Sequence, residues 1–127
     1  QPFLLAPGGK VAYHAALAVA SNYLVTLHEL ARQLAAQAGI GQADASVLLG
    51  DLMQKTLANS LALGPAAALT GPIVRGDAQT VMRHRAVMKP GQDALYCALG
   101  GATLSLASAR LDEAQQAAVA AALAGAG

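Results

Sequence analysis

The stretch KVAYHAALAVASNYLVTLHELARQLAAQ, residues 10–37, decides the fold. It contains no glycine or proline and is rich in alanine and leucine, both strong helix formers. Gly39 follows closely and suits the C′ position that ends many helices. The stretch therefore reads as one helix from about Lys10 to Gln37, roughly 40 Å long at 1.5 Å per residue. It carries few charges before Glu29 and Arg32. Its first half is accordingly expected to be buried on most sides.

Upstream, QPFLLAPGG (residues 1–9) does not read as helix. Pro2 and Pro7 bracket Phe3-Leu4-Leu5, an apolar run suited to an edge strand. A lone strand has no partner in a helical chain, so residues 1–9 are expected to be the last strand, or linker, of a preceding domain. Residues 10–127 then form a helical domain. Downstream, a second helix is expected from about Ala43 to Leu63, started by Gln42 or Asp44 and ended by Gly64-Pro65. Leu48, Leu49, Leu52, Met53, Leu57 and Leu61 supply its apolar face. Residues 64–76 read as a loop punctuated by Gly and Pro. Asp77 has the chemistry of an N-cap for a third helix, residues 78–88. Pro90-Gly91 reads as a turn, residues 93–109 as a fourth helix, and Asp112 as the start of a fifth, reaching Leu123. The low-complexity end, AAVAAALAGAG, is expected to fray. The predicted class is all-α, a bundle of about five helices with a long first helix.

The composition explains what such a bundle needs. The chain has 127 residues, 55% hydrophobic and only 12% charged, against about 25% charged in an ordinary domain. The excess apolar surface must face lipid, a missing domain or another subunit. Lipid fits worst. The longest unbroken uncharged run, Val11 to Leu27, falls short of the ~20 apolar residues of a spanning helix, and it includes Tyr13, His14, Ser21, Asn22 and Tyr23. No secretory signal is visible. A net charge of +1 gives no electrostatic case for nucleic acid. Cys97 is the lone cysteine, so no intrachain disulfide forms, in keeping with a cytoplasmic location.

Two segments carry candidate chemistry. On an ideal helix Lys10 and His14 are i, i+4 neighbours that can act on one small molecule. Lys10 reads either as a proton donor near a reacting carbonyl or as a solvated lysine at a helix start. His14 reads as a general acid or as a buried histidine with a structural partner. With Lys10 at zero, Ser21 falls at about 20° and Asn22 at about 120°, two to three turns further on. Asn22 sits among Ala, Val and Leu and is expected to be buried, bonding either a loop or a ligand. A small substrate cannot touch both Lys10 and Asn22 on a straight helix. In the second segment, LTGPIVRGD (residues 69–77), Gly71, Pro72 and Gly76 impose an unusual backbone path. Arg75 is the sole cation between Thr56 and Gly76. Its guanidinium suits a carboxylate or phosphate, with Thr70 adding a hydroxyl and the helix start beyond Asp77 adding free amides. The alternative is a structural pair of Arg75 with Asp77 or another acid. His28 and His84 read as helix-surface residues. His14, His28, His84 and Cys97 show no metal-ligand spacing, and no GxGxxG, P-loop, HExxH or GxSxG is present.

PFLLAPGGKVAYHAALAVASNYLVTL, ALTGPIVRGD, His84 and Tyr96 resemble the helical domain catalogued as domain of unknown function number 2520, which follows a Rossmann-like domain in certain bacterial proteins. The resemblance covers about residues 2–107. It implies kinship with 6-phosphogluconate-dehydrogenase-type enzymes, among them pyrroline-5-carboxylate and ketopantoate reductases. In those, a Rossmann domain binds the nicotinamide nucleotide while the helical domain dimerises and shapes the substrate site. The loop at residues 70–77 is similar in place to the Ser-Pro-Gly-Gly-Thr-Thr substrate loop of pyrroline-5-carboxylate reductases, but puts Arg75 where that family has small residues. The Lys and Asn four residues apart in ketopantoate reductases are not reproduced, since His14 stands four after Lys10.

The resemblance thus implies the dimerisation and substrate domain of an NAD- or NADP-dependent oxidoreductase, with the nucleotide bound by the parent's absent domain and not by this chain. Lys10 and His14 would be catalytic. Asn22, Thr70, Gly71, Arg75 and Asp77 would bind a small anionic substrate. A non-catalytic homodimer that scaffolds or senses a ligand is the alternative. Expected partners are a second copy and the missing Rossmann domain, with neither nucleic acid nor membrane.

Overall fold

The computed structural model describes residues 3–125, and these are helix and connector with no strand. The chain divides into two compact units, Gln1–Asp51 and Leu52–Gly127.

The first unit is dominated by the long helix. It is built of α1 (Lys10–Ala18), a π-helical turn (Val19–Tyr23) and α2 (Leu24–Gln37). The π turn was not foreseen in a stretch read as unbroken α-helix. Side chains serve the carbonyls around it: Ser21 Oγ donates to Leu17 O, and Thr26 Oγ1 donates to Asn22 O at 3.3 Å. Gly39 closes α2 as expected, at φ +86°. Ile40 N–H reaches Ala35 O and Gly39 N–H reaches Ala36 O, both at 3.0 Å, the paired bonds of a Schellman cap. Phe3-Leu4-Leu5 forms no strand; the Phe3 ring instead lies 5.6 Å from that of Tyr13.

The expected burial of the long helix's first half is corrected. No residue of α1 or of the π turn is buried, and Val11 is 79% exposed and Val25 68%. Alanine and leucine promote helix whether or not a neighbour covers them, so composition alone did not reveal the missing cover. α3 (Gln42–Leu63) starts in the first unit and ends in the second. Its expected apolar face is largely uncovered too, with Leu48, Leu52, Leu57 and Leu61 exposed.

The second unit holds the core. Gly64, at φ +87°, turns the chain from α3 into the single turn α4 (Pro65–Ala68). After the loop come α5 (Ala78–Ala86), α6 (Pro90–Ala107), a 3-10 turn (Ser108–Arg110) and α7 (Glu113–Leu123). Ile73, Val81, Ala107, Leu111, Val119 and Ala122 form one buried cluster, with Leu69, Val74, Tyr96, Leu104 and Leu123 packed on it. Pro90-Gly91 is not a separate turn but the first turn of α6. Proline suits the first helical position, where its missing N–H is not needed, and Gln92 Oε1 accepts the Lys89 N–H at 3.0 Å. Asp112 caps α7 as expected, accepting from Gln115 N at 2.8 Å while Gln115 Oε1 accepts from Asp112 N at 3.0 Å. α7 reaches Leu123 as expected, and Arg85 takes the carbonyls of Ala122, Ala124 and Gly125 at and beyond its end; the last two residues of the low-complexity stretch lie outside the described residues.

Candidate functional site: a capped arginine loop and a histidine–tyrosine pair

Local backbone chemistry builds the loop of residues 70–77. Pro72 to Arg75 make one helical turn. Asp77 N–H donates to Pro72 O at 2.9 Å and Gly76 N–H to Ile73 O at 3.0 Å, so this turn ends in the same paired-bond cap as α2. The cap needs a left-handed residue, and Gly76 has φ +70°. A Cβ there would also meet Gln115 Cγ at 3.0 Å. Ile73 anchors the turn in the core. From the other side, Arg110 Nη1 donates to Ala66 O and Leu69 O, each at 3.1 Å.

On this frame Arg75 and Thr70 are exposed, and Gly71 is half-buried at φ +98°. Asp77 is the N-cap of α5: Oδ1 accepts from Thr80 N at 3.1 Å and Oδ2 from Thr80 Oγ1 at 2.7 Å. These two bonds, the hydroxyl first, hold the Asp77 carboxyl below 3.8, with smaller contributions from the fields of Arg75 and Arg83. Both carboxylate oxygens are thus committed to Thr80. Arg75 forms no ion pair with Asp77 or any other acid among the described residues, so the structural pairing considered for it is not formed.

Lys10, His14 and Asn22 lie in the first unit. Lys10 and His14 share a helical face in α1 and both are exposed; the His14 ring lies 5.7 Å from that of Tyr13. Asn22 was expected to be buried and is exposed. It also lies within the π turn, so the angular map drawn for a straight α-helix does not hold from Val19 onward. Thr70, Gly71, Arg75 and Asp77 lie in the second unit, gathered on the one loop.

Sequence reasoning missed two arrangements. His84, read as a surface residue, has Nδ1 3.0 Å from Tyr96 Oη, with the rings edge to face at 5.9 Å and 86°. Burial raises the Tyr96 phenol above 10.0. Arg85 grips Asp93 with two bonds, Nε to Oδ1 at 2.8 Å and Nη2 to Oδ2 at 2.9 Å, as well as holding the end of α7. Nearby Cys97 is raised above 9.0 chiefly by burial. Partners so far apart in sequence leave no local signal. The nearest hint was the run Arg83-His84-Arg85 in the last turn of α5, where cations suit the helix dipole.

Among the described residues no group of His, Cys, Asp and Glu side chains could hold a metal ion, and no helix is long and apolar enough to cross a membrane. No curated protein and no solved structure matches the chain. One family model does, described as Domain of unknown function (DUF2520), over residues 1–103. That span takes in the long helix, the arginine loop, α5 and most of α6, so the chain belongs to the DUF2520 family.

Proposed function

We propose that the chain is the dimerisation and substrate-binding domain of an NAD- or NADP-dependent, cytoplasmic oxidoreductase that acts on a small anionic carbonyl or imine compound. The observation that carries the reading is Arg75: an exposed guanidinium on a capped loop that forms no ion pair among the described residues, while the Asp77 carboxylate two residues on accepts from Thr80. A guanidinium so placed is ready to take a carboxylate from solution. Thr70 and Gly71 shape the loop's approach. Lys10, His14 and Asn22 lie in the first unit and carry no part of this reading. The nucleotide belongs to the parent's preceding domain. A dinucleotide crevice is built from parallel strands and a glycine-rich turn, which the described residues lack.

The uncovered apolar side chains of the long helix and α3 support a second copy as partner. They favour equally a second reading, a non-catalytic helical homodimer that scaffolds or senses a ligand. The parent gene product separates the two. Its mass in source cells, followed by fluorescence titration with NADPH and NADH, should reveal a longer protein that binds one of them. Arg75→Ala should then raise KM for an oxo-acid substrate. A parent that binds neither nucleotide leaves the scaffold reading, and unchanged KM removes Arg75 from the site.

A further inference from the structure

We propose that Arg75, Arg83 and the outward ring nitrogen of His84 form one anion-binding surface on α5 and the loop before it, suited to a dicarboxylate, with Tyr96 as the residue that positions His84. The proposal deepens the anionic-substrate reading by naming further residues and a ligand class. On α5, Thr80, Arg83 and His84 fall within an arc of about 100°. Helical side chains lean toward the N-terminus, so Arg83 and His84 reach back over Thr80 toward Asp77. The fields of both Arg75 and Arg83 are felt at the Asp77 carboxylate. Neither arginine forms an ion pair within the described residues, and each oxygen of Asp77 accepts from Thr80.

The Tyr96 contact gives this surface a defined donor. A phenol is the better donor and a neutral imidazole nitrogen the better acceptor, so Tyr96 Oη–H donates to His84 Nδ1 across their 3.0 Å contact. Neutral His84 then carries its proton on Nε2, away from Tyr96, on an exposed side chain. One carboxylate of a dicarboxylate would meet a guanidinium in two parallel bonds, and the other would accept from Nε2–H.

The test is nitrogen-15 NMR on the full 127-residue chain, with succinate as probe and acetate as control. Saturable shifts at Thr80, Arg83 and the His84 ring are expected with succinate, and weaker binding of acetate. Arg75→Gln and Arg83→Gln, both at exposed positions, should each weaken succinate about tenfold, the loss of one charge-assisted contact. Tyr96→Phe keeps the ring packing. It should turn a fixed Nε2–H tautomer at His84 into a mixture, with weaker succinate binding. Absence of saturable shifts in the wild type, or unchanged binding in Arg83→Gln, overturns the surface. A wild-type His84 protonated at Nδ1 overturns the role of Tyr96. Succinate binding that survives alongside a parent unable to bind nicotinamide nucleotides would sustain the surface while removing the oxidoreductase reading.

Discussion

Replacing Gly100 by alanine sets two opposed effects against each other in the middle of α6. Alanine is favoured over glycine in a helix interior by about 1 kcal/mol. A Cβ at position 100, however, would lie 2.6 Å from Leu123 Cδ2, 3.2 Å from Cδ1 and 3.4 Å from Cγ. Leu123 is partly buried and packs on the buried cluster, so its side-chain end must shift against that cluster to admit the Cβ. Overfilling a packed site costs about 1–3 kcal/mol, so Gly100→Ala should be neutral to about 2 kcal/mol destabilising. The adjacent Gly101 is the control. A Cβ there meets nothing within 4 Å, and Gly101→Ala should keep the whole gain of about 1 kcal/mol. Urea unfolding followed by circular dichroism should therefore separate the two variants by about 1–3 kcal/mol. At about 3–5 °C per kcal/mol for a chain of this length, their Tm values should differ visibly. In a Leu123→Ala background the clash is gone, and Gly100→Ala should become stabilising. If Gly100→Ala stabilises the wild type as much as Gly101→Ala does, the close approach of α6 to α7 is refuted.

Val119 is fully buried, and Val119→Ala should cost about 2–3 kcal/mol from two lost methyl groups and the cavity they leave; denaturant midpoints at unchanged slope would measure it. The Asp77 carboxyl is held below 3.8 in the folded chain, so its contribution is complete above that value and is lost as pH falls through the folded pKa. Asp77→Asn should flatten that acid limb in a plot of Tm against pH, and an unaltered limb would deny the cap its charge. Arg110→Ala should release the carbonyls of Ala66 and Leu69 and speed amide exchange from residue 66 to residue 77, with α7 unaffected. The Cys97 thiol, raised by burial, should react with a disulfide reagent at pH 8 much more slowly in the folded chain than in urea.

Where the determinants were local, the sequence was enough. The helical class, Gly39 and Gly64 as stops, and Asp77 and Asp112 as caps all depend on residues within a turn or two of one another. Pro90-Gly91 was misread because proline serves equally as a turn residue and as a helix's first residue; what decides is whether a side chain such as Gln92 takes the preceding N–H. The burial of the long helix and of Asn22 was misjudged for a different reason: an apolar stretch states a preference for cover, not the presence of it. In the candidate site, Arg75 and its loop were legible from Gly71, Pro72 and Gly76. The His84–Tyr96 and Arg85–Asp93 pairs were not, since each joins two helices whose mutual register no local pattern records.

The π turn at Val19–Tyr23 makes the length of this helix a variable in its own right. A wide turn accommodates one residue more than the α-helical count, much as an insertion would. Deleting Ala20 should let the segment relax to α geometry while what precedes it keeps nearly the same facing, because the wide turn had already absorbed the extra residue. A deletion in α2, where no wide turn compensates, would instead rotate Lys10 and His14 by about 100° relative to the rest of that helix. One stretch of this helix can thus lose a residue almost silently, while the same loss a few positions away would re-aim its polar face.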